Sequence, residues 1–389
     1  MTRVLMVHPS LQPPGGGNCV AAWAIEALRE PYDLTLLAWR QPDLEPVNRY
    51  FGTSLRPGDF RLLRVPAPLR LAVDSLPTPS ALLGWGVMTR YARRLLQRGE
   101  WDVVLSTQNE MDFGRPGIQY IHFPTYFEPR PDCDHRWYHR AFPFLLSGYR
   151  RLSHRLASHS ADGIRRNLSL VNSDWTGGKL REIYGVDSVT VPPPVPGTFL
   201  RRPWEEREDG FVCIGRISPE KEVVKMIEIL SHVRRRGRAI RFHIVGSPDH
   251  DAYTQRVLTA AEAEGDWIDL HFDLPRDEML TLLAASRYGI HGMGNEHFGI
   301  AVAEMQRAGA IVFVPDDGGQ VEIVDGDPRL VYRSVEEAVE KIDRVLTEPD
   351  LRGAILRNVE ERRGRYSAER FVADLRGAVG DLSEMSKFQ

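Results

Sequence analysis

The chain is poor in cysteine and has no long run of apolar residues. Its three cysteines, Cys19, Cys133 and Cys213, are far apart and lack the spacing of metal ligands. This pattern predicts reduced thiols in a cytosolic compartment rather than a disulfide framework. The apolar start from Val4 to Val7 is too short for the core of a secretory signal peptide. No apolar run approaches the roughly 18 residues that a membrane-spanning helix needs, so no span is expected.

The chain also lacks a large excess of charge of either sign. Its formal net charge is −3, so the bulk charge gives no reason to expect binding to nucleic acid. The apolar fraction of 42% is ordinary for a globular protein, and 389 residues predict two domains. Arginine far outnumbers lysine, which indicates a GC-rich bacterial genome but nothing about chemistry. No spacing typical of a divalent-metal site is visible.

Strand and helix signals alternate through both halves of the chain. This alternation predicts an α/β protein with two doubly wound parallel-sheet domains. Residues 191–196 read V-P-P-P-V-P, which cannot continue a helix or a central strand, so the domain linker is expected there. The predicted division is 1–195, 196–365 and a last helical segment at 366–389. Residues 70–79 are expected to form a proline-rich loop.

The most informative stretch covers residues 293–322. A polar, glycine-punctuated loop at 293–299 precedes an apolar-rich segment, Ile300 to Ala308, that favours a short helix ended by Gly309. A short apolar run follows, as expected of a buried parallel strand. A helix that begins near Gly299 directs free N–H groups and a partial positive charge into the loop, which suits a phosphate.

Two glutamates flank this helix start. Glu296 lies just ahead of it, and Glu304 lies about five residues along, roughly 7–8 Å away at 1.5 Å per residue. The two carboxylates are therefore expected to contact successive parts of one extended ligand. A nucleotide-sugar fits, with hexose hydroxyls near Glu296, a diphosphate at the amides of Phe298, Gly299 and Ile300, and ribose hydroxyls near Glu304. From periodicity alone, a surface helix with two solvated glutamates is the alternative.

A second anion site is predicted at the start of the second domain, where residues 215–221 read G-R-I-S-P-E-K. Ser218 as N-cap and Pro219 at the first helical position mark the start of a helix. Arg216 and Lys221 then lie within one turn of that start, where two cations suit an anion. A surface charge pair is the alternative.

Two segments of the first domain are also candidate ligand contacts. Gly16 and Gly17 belong to a glycine loop between the first strand and a helix expected over Val20 to Leu28, a layout in which backbone can approach a phosphate. The G-x-G-x-x-G spacing is missing, so a dinucleotide site is weakly indicated and a flexible turn is the alternative. His122 lies at a predicted strand end, although a lone histidine is more often structural.

Arginines interleaved with aromatic residues fill the segment from 130 to 166. A basic amphipathic face that meets anionic lipid or a phosphorylated acceptor is one interpretation. A long helix with a solvated basic side is the other.

Several of these motifs resemble retaining glycosyltransferase family 4, whose members have the GT-B fold. The resemblance rests on the spacing of Glu296 and Glu304, on G-R-I-S-P-E-K, on N-S-D-W-T at 172–176 and on Y-I-H-F-P at 120–124. The wording N-E-H-F-G-I at 295–300 is similar to GDP-mannose-dependent α-1,2-mannosyltransferases that extend lipid-linked oligosaccharides.

The resemblance implies two Rossmann-like domains facing a central cleft, with segment 366–389 crossing back to the first domain. It implies retaining transfer of a hexose, best mannose from GDP-mannose, to an acceptor hydroxyl, without a metal or other cofactor. Arg216 and Lys221 would bind the donor diphosphate, and Glu296 and His122 would orient the hexose. Glu304 would hold the ribose. The loop with Gly16 and Gly17 would lie against the diphosphate and the acceptor.

One departure from the family leaves the acceptor open. Those mannosyltransferases usually have a Glu-Arg pair after the glycines, where this chain has Asn18-Cys19. The acceptor is then a lipid-linked glycan, a natural-product aglycone or a polysaccharide, and the expected location is the cytoplasm or the inner face of a membrane. Alternatives are a UDP-sugar-dependent transferase, a GT-B nucleotide-sugar epimerase and a noncatalytic nucleotide-binding subunit.

Overall fold

The computed structural model describes residues 1–76, 81–124, 143–248 and 251–385. The chain divides into two compact units, each built on its own sheet. Unit 1 combines Met1–Pro196 with Ala368–Gln389, and unit 2 is Gly197–Ser367. Unit 1 is therefore discontinuous in sequence, whereas unit 2 is one continuous segment.

Unit 1 is built on seven strands, and all pairs of neighbouring strands are parallel. The strands are β1 Arg3–Val7, β2 Asp33–Ala38, β3 Arg61–Arg64, β4 Val103–Ser106, β5 Ile118–Ile121, β6 Leu168–Val171 and β7 Val189–Thr190. Their order across the sheet is β3-β2-β1-β4-β5-β6-β7. Within the described residues, the helices before unit 2 are α1 Gly16–Leu28, α2 Leu44–Phe51, α3 Ala67–Asp74, α4 Ala81–Leu96, α5 Pro143–Ala157, α6 Ala161–Arg165 and α7 Asp174–Tyr184.

Both faces of the unit 1 sheet are covered by apolar cores. Successive side chains of a strand point to opposite sides, so β1 contributes residues to both cores. Val4 and Met6 of β1 belong to one apolar core, together with α1 and with Phe371 of the last helix. Leu5 and Val7 belong to a second core on the other face. A continuous apolar run is thus what a central parallel strand requires.

Unit 2 contains six parallel strands in the order β10-β9-β8-β11-β12-β13. They are β8 Glu208–Ile214, β9 Arg241–Gly246, β10 Ile268–Phe272, β11 Ser286–Ile290, β12 Ile311–Pro315 and β13 Val331–Tyr332. The helices are α8 Val223–Arg235, α9 Asp251–Glu264, α10 Arg276–Ala285, α11 Ile300–Arg307, α12 Gln320–Ile323, α13 Val335–Thr347 and α14 Pro349–Arg362, and α15 Ala368–Met385 then returns the chain to unit 1.

Each sheet has one point where the chain reverses the direction in which it adds strands. In unit 1 this point lies between β1 and β4, and in unit 2 it lies between β8 and β11. Ligands of open parallel sheets bind outside the carboxyl ends of the strands at such a point. His8 and Thr107 follow β1 and β4, and Gly215 and His291 follow β8 and β11, so these loops are where a site is expected.

Three local predictions are wrong. Residues 70–74 of the expected proline-rich loop belong instead to α3, which tolerates Pro68 because this proline lies in its first turn, and residues 77–79 of that loop lie outside the described residues. The glycine loop is shorter than expected, since α1 already begins at Gly16. Ser218 does not cap a long helix. It precedes a single 3₁₀ turn, Pro219–Lys221, and the left-handed residue Glu222 (φ 52°) separates that turn from α8.

Among the helices in the described part of the chain, none combines the length and the hydropathy needed to cross a bilayer.

Candidate functional site

Glu296 lies in a polar cluster at the carboxyl edge of the unit 2 sheet. Lys221 Nζ is 2.6 Å from Glu296 Oε2, and His291 Nε2 is 3.5 Å from the same oxygen. The Lys221 and Glu296 side chains are only 20% and 18% exposed. The three residues follow β8 and β11, so the reversal of strand order brings them together.

The charges of this cluster fix its ionisation state at neutral pH. Burial alone would favour the neutral acid, but Lys221 and His291 hold the pKa of Glu296 well below its usual range. Burial and the Lys221 charge lower the pKa of His291, although Glu296 opposes this. Glu296 is therefore an ionised hydrogen-bond acceptor, beside a cation and a neutral imidazole.

The Gly318-Gly319 turn holds the backbone of Glu296. Gly319 N donates to Glu296 O at 2.7 Å, and Gly318 pairs with Glu296 in an isolated parallel bridge. Gly318 has φ 101°, and a Cβ there would lie 2.4 Å from Glu296 O. Glycine is required at this position both for its left-handed backbone and for the close approach. The sequence had shown the glycines but not their contact.

Gln320 connects the two loops of this region, although it belongs to none of the motifs found in the sequence. It is fully buried, and its Nε2 donates to Met293 O at 3.1 Å and also to Asp317 O. A single buried amide can therefore keep both loops in register.

The start of α11 carries the predicted backbone donors. Gly299 is its N-cap with φ 101°, a left-handed conformation. None of the described residues accepts a hydrogen bond from the amides of Phe298, Gly299 or Ile300. The Phe298 side chain is 5% exposed and packs edge-on against Tyr366, with ring centroids 5.2 Å apart. The loop is thus anchored by its side chain, and its amides face no internal acceptor.

Glu304 forms its ion pair with a different residue from the one that pairs with Glu296. It is 7% exposed, and Arg276 Nη1 lies 2.6 Å from its Oε1. Both glutamates are thus largely buried and ion-paired, so the alternative of two solvated glutamates is wrong. Arg276 was not anticipated, because it belongs to no motif and only the fold brings the start of α10 near α11.

Arg216 is more exposed than its neighbours in the cluster. Its side chain is 60% exposed, and its Nη2 lies 3.2 Å from Glu220 Oε1. Ser218 Oγ donates to the same carboxylate at 2.6 Å rather than to a helix amide. Burial would raise the pKa of Glu220, but Ser218, Arg216 and Lys221 lower it overall. Arg216 and Lys221 therefore act on one carboxylate, while Lys221 pairs directly with Glu296.

In unit 1, His122 lies against the start of α1. A Cβ at Gly17 would come within 3.3 Å of His122 Nε2. The same ring nitrogen is 3.1 Å from Thr107 O, and the His122 amide donates to Asn109 Oδ1 at 2.7 Å. Gly17 and His122 are thus adjacent, as expected of two residues at one sheet edge. Gly16 is the first residue of α1.

A buried histidine that the sequence did not single out lies beside them. His8 Nδ1 is 2.9 Å from Thr107 Oγ1, and His8 Nε2 is 2.9 Å from Ser10 O and 3.0 Å from Asn18 Oδ1. Burial lowers the pKa of His8 to about 4, although these hydrogen bonds oppose the shift. Its position directly after the first strand is the signal that could have identified it.

The basic segment at 130–166 lies only partly within the described residues. In the described part, Arg151, Leu152 and Arg155 are exposed, with Leu152 at 51%. Cys19 and Cys213 are buried thiols, and Cys133 lies outside the described residues. No group of three or more His, Cys, Asp or Glu side chains that could hold a metal ion occurs within the described ranges.

The chain is similar to known proteins in sequence and in fold. Residues 199–362 match the sequence profile of the family described as glycosyl transferases group 1. A GDP-Man:Man(3)GlcNAc(2)-PP-Dol alpha-1,2-mannosyltransferase of Dictyostelium discoideum is 22% identical over 94% of this chain and 81% of that protein. The Neurospora crassa protein of the same name is 28% identical, over 56% of this chain and 44% of its own length. This chain thus spans less than half of the second relative.

The fold has close counterparts among solved structures. Anabaena HepE in complex with UDP superposes with a TM-score of 0.69 at 12% identity, over 98% of this chain and 100% of that one. Two parallel-sheet units, of which the second matches the profile of glycosyl transferases group 1, define the class of protein. The chain is a glycosyltransferase with the GT-B fold. It is related to the α-1,2-mannosyltransferases, and its unit 2 contains all the residues that match the group 1 profile.

Proposed function

We propose that the protein transfers mannose from GDP-mannose to an acceptor hydroxyl with retention of the anomeric configuration. The observation that carries this proposal is the buried pair of Lys221 and Glu296 at the reversal point of the unit 2 sheet. It lies within the residues that match the glycosyltransferase profile. The relatives are named as GDP-Man-dependent mannosyltransferases, which supports the choice of GDP-mannose as donor.

Each charged group has a role that its surroundings permit. Lys221, Arg216 and the amides of Phe298 to Ile300 stabilise the charge that develops on the leaving diphosphate, an electrostatic contribution to transition-state binding. An ammonium has three N–H donors, and the contacts with Glu296 Oε2 and Met293 Sδ leave one of them for a phosphate. Glu304, held by Arg276, accepts hydrogen bonds from the ribose.

Glu296 orients the hexose as a pure acceptor. Because its pKa is well below the usual range, it stays ionised and cannot act as a general acid near neutral pH. Its carboxylate accepts hydrogen bonds from the hexose hydroxyls, and the role that the family resemblance implies for His122 stays a prediction. The acceptor proton passes to the departing phosphate oxygen, so the reaction requires no separate protein base. No metal or other cofactor is part of this proposal.

The acceptor proposed is a glycan or other hydroxyl compound carried at a membrane surface. This follows the lipid-linked substrate in the relatives' name and the exposed Arg151, Leu152 and Arg155, which suit anionic lipid. Cosedimentation with vesicles that contain anionic lipid measures this contact, and a protein that stays in the supernatant at low salt contradicts it.

Replacing Lys221 tests the reaction. Lys221→Ala should lower GDP release from GDP-mannose in the presence of acceptor by at least about tenfold, one step of 1.4 kcal/mol. Lys225→Ala is the matched control, since Lys225 lies one turn further on and outside the cluster. Equal rates in Lys221→Ala and the native protein would remove Lys221 from the site. Quantitative conversion of the donor to an epimer without acceptor would replace transfer by isomerisation.

The donor base is tested separately. In a thermal-shift screen of GDP, UDP, ADP and dTDP, GDP should raise the melting temperature most, because only ligands that prefer the folded state do so. A preference for UDP would overturn the GDP-mannose part of the proposal and leave glycosyl transfer intact.

A further inference from the structure

Unit 2 contains a cavity of about 430 Å³, and none of the candidate site residues described above lines it. Four arginines surround it, Arg201, Arg202, Arg207 and Arg363, and Glu360 is its single acid. Its remaining walls are mostly apolar and include Trp204 and Leu356.

The cavity lies at the opposite edge of the sheet from the candidate donor site. Arg207 directly precedes β8 and Gly309 precedes β12, so the cavity is at the amino edge. Lys221 and Glu296 follow the carboxyl ends of β8 and β11. β8 has 7 residues. At about 3.3 Å per residue the two sites are therefore roughly 20 Å apart.

Arg207 is a buried cation without a carboxylate partner in the described part of the chain. It is 7% exposed, and its Nε donates to Arg202 O at 3.0 Å while its Nη1 donates to Ser286 O at 3.5 Å. Burial and the nearby Arg363 lower its pKa. A guanidinium removed from water and paired only with carbonyls is unfavourable, and a bound anion would offset that cost.

The charges around the cavity are unbalanced. Glu360 lies 3.2 Å from Arg201 and 3.1 Å from Arg363, so it is already shared by two of the four arginines. Four guanidinium groups against one carboxylate leave an excess of three positive charges. A dianion matches this excess better than a monocarboxylate does, and the walls at Trp204 and Leu356 suit a small apolar group attached to it.

We propose that this arginine-lined cavity binds a phosphate monoester with a small apolar organic part. The phosphate would lie between Arg202, Arg207 and Arg363, whose remaining N–H groups can donate charge-assisted hydrogen bonds to its oxygens. The organic part would pack on Trp204 and Leu356. This site is independent of the proposed transfer reaction and of its donor.

Calorimetric titration of the full chain with phenyl phosphate tests the site. Saturable binding at up to about 10 mM is expected, with a weaker affinity for inorganic phosphate and none for phenol, because both charge and apolar contact contribute. Binding of benzoate as tight as that of phenyl phosphate would contradict the choice of a dianion. Failure of phenyl phosphate to bind would overturn the proposal.

Variants assign the binding to this cavity. Arg202→Ala, an exposed change, and Arg363→Ala should each weaken phenyl phosphate binding at least about tenfold, one step of 1.4 kcal/mol. Arg357→Ala is the matched control, since Arg357 is exposed on α14 and outside the lining. Lys221→Ala should leave the binding unchanged. Binding lost in Lys221→Ala, or kept in Arg202→Ala, would place the anion elsewhere and overturn the proposal.

Discussion

At the scale of single residues, His8 shows how burial selects one protonation state. Ser10 O and Asn18 Oδ1 are acceptors for its Nε2, and the Thr107 hydroxyl donates to its Nδ1. A neutral ring with its proton on Nε2 satisfies all three contacts. Protonation would add a second N–H that faces a hydroxyl and a charge that is removed from water.

This environment predicts that unit 1 loses stability in mild acid. The pKa of His8 falls from 6.5 to about 4 on folding. Below pH 6.5 the unfolded chain binds a proton that the folded chain does not, so stability present above pH 6.5 is lost as the pH falls toward 4. Between pH 7 and 4.5 the loss from His8 is about 2 kcal/mol.

Urea unfolding at several pH values measures this contribution. His8→Gln replaces the imidazole by an amide, which can still donate and accept hydrogen bonds but does not titrate, so the stability of this variant should depend less on pH by that amount. An unfolding free energy that falls equally in His8→Gln and the native protein would show that His8 is not the sensitive group.

In the unit 2 site, the charged residues that could be predicted from the sequence lie in motifs with a fixed spacing. The residues that could not be predicted are their interaction partners, which only the fold brings close. Glu296, Glu304 and Lys221 belong to motifs. Arg276 and His291 do not, because their roles depend on strands and helices that meet only after folding. Partners of this kind have no local signature.

At the scale of elements, the turn at 315–320 acts as a clamp on the loop that carries Glu296. Its backbone reaches Glu296 through Gly318 and Gly319, and the buried Gln320 reaches Met293. α11 can present its first amides in one orientation because this clamp and the packing of Phe298 fix the loop before it.

Gly318→Ala should break this clamp. Its φ of 101° strains any other residue, and the new Cβ would lie 2.4 Å from Glu296 O, so the backbone must move. The expected cost is about 2 kcal/mol or more of unfolding free energy, with GDP affinity reduced at least about tenfold. Unfolding in urea and calorimetric titration of GDP measure the two effects.

Gly326→Ala is a control that introduces backbone strain without a steric clash of the new Cβ. Gly326 has φ 61°, and a Cβ there would meet nothing within 4 Å. It should lose only about 1 kcal/mol and keep its GDP affinity. If both variants bound GDP normally, the clamp would have no part in holding the site.

Elements also differ in how far the sequence determines them. Ser173 and Ser334 are of a residue type that favours helix N-caps, and both accept a hydrogen bond from a first-turn amide. The break at Glu222 was not predicted. It arises where Glu222 packs on Gly292. A Cβ added at Gly292 would lie 3.1 Å from Glu222 Cβ, so this is a close contact between segments far apart in sequence.

At the scale of the whole molecule, unit 1 depends on its last helix. Phe371, Leu375 and Val379 of α15 are buried in the same core as β1 and α1. Phe371 is 2% exposed and meets Tyr120 edge-on, with ring centroids 6.3 Å apart. The two parallel-sheet units were predictable from alternating strands and helices, but this packing was implied only by the family resemblance.

Phe371→Ala should therefore destabilise unit 1 by about 3–5 kcal/mol, since it opens a cavity in that core. Hydrogen exchange should rise in residues 1–196 and 368–385, with less change in residues 197–367. Asp381→Ala, an exposed change on the same helix, is the control. Exchange that rises only in residues 197–367 would contradict the assignment of α15 to unit 1.

The discontinuity of unit 1 also sets an order of events during synthesis. The ribosome makes all of Gly197–Ser367 before it makes the α15 residues that complete the core of unit 1. Unit 2 is therefore the first part whose whole core can form on the nascent chain. Residues 1–196 keep part of their apolar surface uncovered until α15 leaves the exit tunnel. During that interval they are the part of the two units most in need of a chaperone.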